Sequence, residues 1–444
     1  MSLRTQHTFT VDFPSDFKTR LLQWAQQFET IVWLDSNNYK QKYSSFDCCL
    51  AVDAFTAIQT DCYNAFNTLK EYQAHTKDYI FGYISYDVKN DIENLSSNNF
   101  DGLHFPDLYF FQPKKLIFIK KNTVEFHYLH IVEDELEKDF KEINQFHLKP
   151  NHLSNTLNDK HNTTKNNIKI KLRIHKDEYH QKVSKVLEHI HRGDIYEANF
   201  CQEFYAENTS INPYKVYKHL NEISEPPFAT FFRNEQLYLL SASPERYIKK
   251  IGNKIISQPI KGTAKRLINP IDDSKIAYDL AHNPKEQSEN IMIVDLVRND
   301  LSKTAKKGSV EVEELCKVYT FKQVHQLIST IVSEVENTTN PITIIKDSFP
   351  MGSMTGAPKI SAMQIIETLE ETKRGLYSGT IGYFTPDGDF DFNVIIRSIL
   401  YNAQKKYVSY SVGGAITAKS TPQKEYEECL LKAKAMKHAL TNIP

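Results

Sequence analysis

The sequence lacks an excess of charge of either sign, and it lacks a long apolar run. Its 444 residues carry 54 lysines and arginines against 55 aspartates and glutamates, so no global field draws the protein to nucleic acid or to an anionic membrane. No stretch of about 18 apolar residues is present to span a bilayer. The first residues also lack the apolar segment of a secretory signal. We therefore expect a small-molecule partner and a cytoplasmic location.

Cysteine is scarce, and no spacing among the cysteines resembles a zinc site or a disulfide framework. The six are Cys48, Cys49, Cys62, Cys201, Cys316 and Cys429. Four histidines, at 175, 180, 189 and 191, share one stretch but do not fall together on one helix face. The Gly-rich segment 349–359 lacks the spacing of a phosphate-binding Walker loop. Neither a histidine metal site nor nucleotide binding is favoured.

The length predicts two subdomains or one large, intimately joined unit. Residues 8–135 alternate short apolar runs with helical stretches, one of them at 54–76, which indicates an α+β region. A segment rich in Asn, Thr and Lys follows, and it is too polar to fold alone. We divide the chain into an N-terminal subdomain (1–150), a polar connection (151–168) and a C-terminal domain (169–444).

The C-terminal domain is dense in structural signals. A helix at 176–192 should end at Gly193, which suits a left-handed cap. Residues 377–416 read as three strands with a hairpin turn at "PDGD". Further helices are predicted at 283–304, 361–373 and 422–440. A mixed sheet system flanked by helices follows from this pattern.

The last predicted helix groups charged side chains on one face. Thr421 and Pro422 provide a cap and a first-turn proline, and Glu425, Glu428 and Lys432 follow at i, i+3 and i+7. Two carboxylates grouped in this way suit a hard divalent cation such as Mg²⁺. A solvated charged face with a Glu–Lys pair would have the same pattern.

Other candidate residues also allow two interpretations each. Glu289 begins a predicted helix, where it would cap the helix or face a metal. Arg397 lies inside the predicted strand "FNVIIRSIL", so its guanidinium would meet a substrate carboxylate or a structural ion-pair partner. Gly413, Gly414 and Ala415 end a predicted strand, where their backbone could approach an anion or form a plain turn.

Two residues in predicted turns could carry chemistry. Glu245 follows Ser-Pro in "SASPERY", and burial would have to raise its pKa before it could act as a general acid. Lys261 lies in "QPIKGTAKR", between an apolar pair and a Gly-Thr turn. It would be a surface charge, a clamp for an anion, or a nucleophile.

Nine motifs occur in an order that resembles the chorismate-utilising enzymes. They are "GDIYEANF", "SASPER", "PIKGTAKR", "SENIMIVDLVRNDL", "FPMGSMTGAPK", "SGTIGYF", "VIIRSIL", "VGGAI" and "PQKEYEE". This family comprises component I of anthranilate synthase and of aminodeoxychorismate synthase, with the isochorismate and salicylate synthases. The resemblance covers about residues 170–440 and implies an α/β fold of two mixed sheets packed face to face with helices outside.

The resemblance also implies roles for individual residues. It places Mg²⁺ on Glu289 and Glu428 with Glu425 nearby, the general acid at Glu245, and a nucleophile at Lys261. The implied substrate contacts are Gly262, Thr263, His325, Tyr377, Tyr383, Arg397, Gly413, Gly414, Ala415 and Lys432. At the position of Glu197 the isochorismate and salicylate synthases have a water-activating lysine, and the amino-transferring members commonly have glutamine. Hydration is therefore disfavoured, and a carboxylate here would either bind the incoming ammonia or oppose it.

Lys261 distinguishes among the members, because anthranilate synthases have a small residue at this position and aminodeoxychorismate synthases have the lysine. The resemblance thus implies a Mg²⁺-dependent transferase that aminates chorismate for folate biosynthesis, most similar to component I of aminodeoxychorismate synthase. The lysine would have to be partly deprotonated near pH 7, which we expect burial and the cation to favour. No Gly-x-Cys-x-Gly nucleophile segment is present, so a separate glutaminase would supply the ammonia.

Two rival functions remain from the sequence. One is component I of anthranilate synthase, and the other is a non-catalytic relative that binds chorismate or an amino acid for regulation. Residues 32–38 lie about where the N-terminal half of this family binds tryptophan.

Overall fold

The computed structural model describes residues 3–39, 41–146 and 168–442. Almost all of the predicted polar connection therefore lies outside the described residues. The strands are β1 Arg4–Thr10, β2 Thr30–Asp35, β3 Cys48–Thr60, β4 Ile80–Ile84, β5 Leu108–Lys120, β6 Thr123–Leu129, β7 Lys171–Leu172, β8 Glu197–Ala206, β9 Phe228–Asn234, β10 Leu237–Ser243, β11 Arg246–Ile251, β12 Lys254–Gln258, β13 Ile260–Lys265, β14 Glu311–Thr320, β15 Val324–Glu334, β16 Gly356–Ala357, β17 Thr380–Phe384, β18 Phe390–Val394, β19 Ser398–Asn402 and β20 Tyr407–Thr417. The helices are α1 Pro14–Ala25, α2 Ala65–Thr76, α3 Lys89–Ile92, α4 Leu136–Gln145, α5 Lys176–Arg192, α6 Pro213–Ser224, α7 Pro270–Ala281, α8 Pro284–Ser302, α9 Pro341–Ser348, α10 Lys359–Leu369 and α11 Pro422–Thr441.

Local sequence signals fix many of the helix ends. The helices α6, α7, α8 and α9 each begin with a proline that follows an asparagine, and the asparagine side chain accepts backbone N–H groups of the first turn. The helix α5 ends at Gly193 in the left-handed conformation, φ 88°, as predicted. The helix α11 begins at Pro422 as predicted, although the Thr421 side chain makes no capping bond.

Two sequence predictions of secondary structure were wrong. The predicted helix at 54–76 begins only at Ala65, because residues 54–60 continue β3 and pair with β5. Partners on a neighbouring strand override helical propensity there. The region 377–416 forms four strands, β17 to β20, rather than three, with the predicted hairpin turn between β17 and β18. Arg397 lies between β18 and β19 and not inside a strand.

The strands form two half-sheets that share the long pair β3 and β5. One half runs β6, β5, β3, β2, β9, β10, β19, β20, β8, and the other runs β5, β4, β17, β18, β11, β12, β15. Every pairing between these named strands is antiparallel, although the sequence predicted mixed sheets. The register of the shared pair shifts after Ala54, which lies opposite Pro113, and Asp53 there has φ 62°. Such a bulge bends a strand, so β5 passes from one half-sheet to the other.

The buried clusters show four layers. A cluster made almost entirely of strand residues from β2, β3, β4, β5, β9, β10, β17 and β19 fills the space between the half-sheets. The helices α1, α4, α5, α6, α10 and α11 pack on one outer face, and α2, α8 and α9 pack on the other. The predicted class, two sheets face to face with helices outside, is confirmed. Among the described residues, no helix is long and apolar enough to cross a membrane.

Candidate active site

A buried ion pair joins two of the predicted catalytic residues. Lys261 on β13 donates from Nζ to Oε1 of Glu197 at 3.0 Å, and the two side chains are 12% and 1% exposed. Glu197 is the first residue of β8, and its backbone is held between Ala357 on β16 and Thr417 on β20. Its second oxygen, Oε2, is buried and accepts no hydrogen bond from the described residues. The structure therefore fixes this carboxylate against the lysine.

The surroundings of Lys261 keep it charged. Burial lowers the pKa of the lysine, but the carboxylates of Glu197, Glu289 and Glu245 outweigh burial and leave its pKa raised. Burial alone therefore does not make this side chain partly neutral, and the expected effect of the cation stays a prediction. Lys261 rests as an ammonium ion.

Glu245 has the properties of a general acid. It lies between β10 and β11 and is 4% exposed, and Ser353 donates its hydroxyl to Oε1 at 2.7 Å. Burial raises the pKa of Glu245 to about 7, although the Ser353 hydroxyl and the Lys261 charge both act to lower it. A carboxyl group with this pKa carries its proton on a large fraction of molecules at neutral pH.

The carboxylates of α8 were only partly recognised from the sequence. Glu289 was expected at the start of this helix, where it would cap the helix or face a metal, but α8 begins at Pro284 and Asn283 caps it. Glu289 therefore lies in the second turn. Glu286, which the sequence interpretation missed, precedes it by three residues and contacts Gly262, where a Cβ atom would lie 3.1 Å from Oε2 of Glu286. The signal was the i, i+3 spacing in "EQSE", which equals that of Glu425 and Glu428 in α11.

The charged face of α11 packs against β20. Glu428 pairs with Lys432 at 2.7 Å, and Lys432 also donates to the carbonyl oxygen of Gly413 at 3.0 Å. A Cβ atom on Gly414 would lie 3.4 Å from Oε2 of Glu425. The Lys432 ammonium lowers the pKa of Glu428, whereas burial raises the pKa of Glu425. Glu425 is thus buried on the sheet, whereas the Glu428 side chain is 51% exposed and keeps the Glu–Lys pair that a solvated face would have.

The two pairs of carboxylates lie close enough to influence one cation. Glu286, Glu289, Glu425 and Glu428 all act to raise the pKa of Lys285 on α8, against the lowering effect of its burial. Burial raises the pKa of both Glu289 and Glu425, and the neighbouring carboxylate on the same helix adds to each shift. Carboxylates whose negative charges repel one another in this way are suitable ligands for a hard divalent cation. Within the described ranges, no three such donors are already gathered as a metal site.

Arg397 is a partly buried cation that no carboxylate of the described residues contacts. It has φ 54°, and its Nη1 donates to the carbonyl oxygen of Lys432 at 3.4 Å. It forms no ion pair with any residue that the structure describes, so the structural salt bridge considered from the sequence is absent there. Burial lowers its pKa, and Tyr377 is the first of the groups that oppose this shift. A partly buried guanidinium in this state favours an incoming anion.

The segment 413–415 lies in the middle of β20 and not at a strand end as predicted. Its residues pair with Cys201, Phe200 and Asn199 of β8. On the opposite edge of β20, the strand β19 pairs with residues 407–409 and does not reach Gly413. On that edge the carbonyl oxygen of Gly413 accepts a hydrogen bond from Lys432. Since N–H and C=O of one strand residue point to the same edge, the N–H of Gly413 also points toward α11.

His325 is engaged by two neighbouring side chains, and its contact with substrate stays a prediction. Its Nε2 lies 3.0 Å from Oδ1 of Asp273 and its Nδ1 lies 2.9 Å from Oγ1 of Thr320, which ties β15 to α7. Neighbouring residues of a strand face opposite ways. Gln326, the next residue, pairs with the exposed Thr263 on β13, and its Oε1 is buried without a partner among the described residues.

Tyr383 also lies away from Lys261. It stacks on Phe81 in the layer between the half-sheets and lines a cavity of about 60 Å³ with Asp391 and Asn393. Leu34, Asp35 and Ser36, from the segment considered for tryptophan, line the same cavity. The substrate contact expected at Tyr383 stays a prediction. Tyr377, in contrast, is fully buried near Arg397, and Cys201 Sγ donates toward its hydroxyl at 3.7 Å.

Comparisons with known proteins agree with this arrangement. The profile of the family described as "chorismate binding enzyme" matches residues 29–438. Aminodeoxychorismate synthase component 1 of Bacillus subtilis is 32% identical over 81% of this chain and 76% of its own length. The protein of the same name from Escherichia coli is 41% identical over 57% of this chain, and the match spans only 55% of that protein. Anthranilate synthase component I from Streptococcus pneumoniae has the same fold, with a TM-score of 0.73 at 24% identity over 90% of this chain and 95% of that one.

Proposed function

Since the chain belongs to the chorismate binding enzyme family, we propose that it aminates chorismate, forming 4-amino-4-deoxychorismate from chorismate and ammonia for 4-aminobenzoate and folate biosynthesis. Two relatives named aminodeoxychorismate synthase component 1 support this choice. The observation that carries it is the position of Lys261, buried in contact with Glu197 and within the electrostatic influence of the acid Glu245. A lysine at this place distinguishes aminodeoxychorismate synthases from anthranilate synthases.

The first step removes the C4 hydroxyl group of chorismate, which is a poor leaving group. Glu245 donates its proton to this oxygen, the C4–O bond breaks, and water departs. The amine of Lys261 forms a bond to ring C2 as the ring double bond shifts. Glu245 directly precedes β11 and Lys261 lies on β13, so these strands hold the acid and the nucleophile in place before substrate arrives.

The second step reverses the bond to the lysine. Ammonia forms a bond to C4, the double bond shifts back, and the bond between C2 and Nζ of Lys261 breaks. The new C4 ammonium group returns one proton to Glu245, which restores the acid. Chorismate and ammonia are thus converted to aminodeoxychorismate and water without net gain or loss of protons.

The substrate carboxylates require cationic and N–H donors. Arg397 offers a partly buried guanidinium without an ionic partner among the described residues, Tyr377 lies beside it, and the N–H of Gly413 faces the same edge. When bound, Mg²⁺ would be held by Glu289 and Glu428 with Glu425 and Glu286 nearby, and it would offset the charge of the ring carboxylate. Arg397, Tyr377 and the N–H of Gly413 would then select chorismate by its shape and charge.

Ammonia would come from a separate glutaminase subunit. This expectation rests on the absence of a Gly-x-Cys-x-Gly nucleophile segment in the sequence. Ammonium salts should replace the partner in the assay, because the amination chemistry uses free ammonia.

Product identification tests the proposal. The protein is incubated with chorismate, Mg²⁺ and ammonium, with and without an aminodeoxychorismate lyase, and the products are separated by mass spectrometry. We expect aminodeoxychorismate alone, and 4-aminobenzoate when the lyase is added. Fluorescent anthranilate without the lyase would instead establish the rival activity, with which the pneumococcal fold relative agrees. Binding of chorismate without any product would support the non-catalytic alternative.

A further inference from the structure

The ion pair between Lys261 and Glu197 means that Lys261 must lose a proton before it can act as a nucleophile. In the proposed reaction Lys261 attacks as a neutral amine, but the three carboxylates around it hold it as an ammonium ion. An ammonium nitrogen has no lone pair and cannot form the bond to ring C2. One proton must therefore leave Lys261 before the attack.

Glu197 is the described group in position to receive that proton. It is the carboxylate that accepts a hydrogen bond from Nζ, at 3.0 Å, whereas Glu245 and Glu289 act on the lysine through their charge without a hydrogen bond to it among the described residues. Glu245 is also engaged by Ser353 and has its own proton to donate. Moving a proton along the existing hydrogen bond requires no rearrangement of either side chain.

The surroundings of Glu197 differ from those of other buried carboxylates on the same strand. Glu203, six residues along β8, accepts hydrogen bonds from Arg173 and from Tyr407. Glu197, in contrast, is 1% exposed and its Oε2 accepts no bond from the described residues. Oε2 of Glu197 can therefore take up a proton without losing a hydrogen bond to any described donor.

We propose that Glu197 accepts the proton of Lys261 and so converts it into the nucleophilic amine; this inference rests on the proposed function. The N–H bond of Lys261 breaks, an O–H bond forms on Glu197, and the electron pair left on Nζ forms the C2–N bond. When ammonia later expels the lysine as a neutral amine, Glu197 returns the proton. The carboxylate at this position therefore serves the lysine and does not oppose ammonia.

The experiment follows formation of the covalent adduct between Lys261 and the ring. Enzyme, Mg²⁺ and chorismate are mixed without ammonia, quenched at set times, and analysed by mass spectrometry of the peptide that contains Lys261. In Glu197→Gln we expect adduct formation at pH 7.5 to fall by at least about 100-fold, the usual contribution of a positioned base. The rate in this variant should then rise about tenfold per pH unit, as the lysine loses its proton to the solvent instead.

Matched variants separate the chemical role from a structural one. Glu203→Gln removes a buried carboxylate from the same strand away from Lys261, and its adduct rate should stay within about threefold of that of the unchanged protein. Glu197→Asp keeps the carboxylate and should remain within about tenfold, with the original pH dependence. Chorismate affinity and melting temperature are measured for each variant. Other charged groups that interact with the pair, and so contribute to the pH profile, are Glu245, Glu289 and Glu428.

Two outcomes would overturn the role of Glu197. One is a Glu197→Gln variant whose adduct rate at pH 7.5 stays within threefold of that of the unchanged protein. The other is a folded, chorismate-binding Glu197→Asp variant as slow as Glu197→Gln. Either result, if the unchanged protein still makes aminodeoxychorismate, refutes this inference alone. Absence of both adduct and aminodeoxychorismate in the unchanged protein refutes the proposed function instead.

Discussion

Replacing Glu245 by glutamine should make the protein more stable at neutral and alkaline pH while it abolishes turnover. Burial raises the pKa of this carboxyl from 4.5 to about 7 in the folded protein. A shift of that size corresponds to about 3 kcal/mol, since one pKa unit is worth about 1.4 kcal/mol. Folding therefore disfavours the ionised form, and Glu245 lowers the free energy of unfolding as pH rises from 4.5 to 7. Below this window the group contributes no penalty, and above it the full penalty applies.

Urea unfolding at pH 5, 6, 7 and 8 measures this effect. Glutamine does not titrate, so the stability of Glu245→Gln relative to the unchanged protein should increase by about 2 to 3 kcal/mol between pH 5 and pH 8. Glu207→Gln is the control, because Glu207 is exposed and pairs only with Lys171 at the surface, and its effect should stay below about 1 kcal/mol throughout. A stability difference for Glu245→Gln that does not change with pH would refute the reasoning.

Four further changes test the site. Lys261→Ala should abolish product formation while calorimetry still detects chorismate binding, and equal loss of both would contradict a nucleophilic role. Arg397→Gln should raise the KM for chorismate about 10- to 100-fold, since the lost charge-assisted bonds are worth about 1.5 to 3 kcal/mol; an unchanged KM in steady-state assays would exclude this carboxylate contact. Removal of metal with EDTA should stop turnover reversibly, and Glu289→Gln and Glu428→Gln should each raise the Mg²⁺ concentration needed for half-maximal rate; full activity in EDTA would remove the metal from the proposal. Gly262→Ala should destabilise the fold by about 1 to 3 kcal/mol in urea titrations, because Gly262 has φ 91° and a Cβ atom would meet Leu327 and Glu286, and a neutral result would show that β13 adjusts.

The sequence was most informative where local chemistry decides structure. The Gly193 signal placed the end of α5 and the Thr421-Pro422 signal placed the start of α11, and the i, i+3 carboxylates of α11 do share one face. The motif order was enough to predict the family. These features depend on a few neighbouring residues, so a single chain reveals them.

Some features of the site depend on information that only the assembled sheet contains. His325 and Gln326 are adjacent, and a shift of one residue along a strand reverses the side that a residue faces. Tyr383 lies in the motif "SGTIGYF". The strand β17 turns its ring toward the cavity that Asp391 and Asn393 line, between the half-sheets. The charge of Lys261 depends on Glu197, Glu245 and Glu289, which come from three separate parts of the chain. No local pattern could predict that their sum outweighs burial.

The bend shared by β3 and β5 restricts how this protein can be recombined with its relatives. Both strands belong to two half-sheets at once. The bulge at Asp53 and Ala54, opposite Pro113, sets the angle between the two half-sheets. A chimera whose crossover falls after β5 would combine a bend from one parent with half-sheets from another. Because β2 pairs with β9 and β4 pairs with β17, such a hybrid would also join unmatched strand edges. The N-terminal third and the catalytic surface should therefore come from one parent, and so should the outer helices α8 and α11, which carry Glu289 and Glu428.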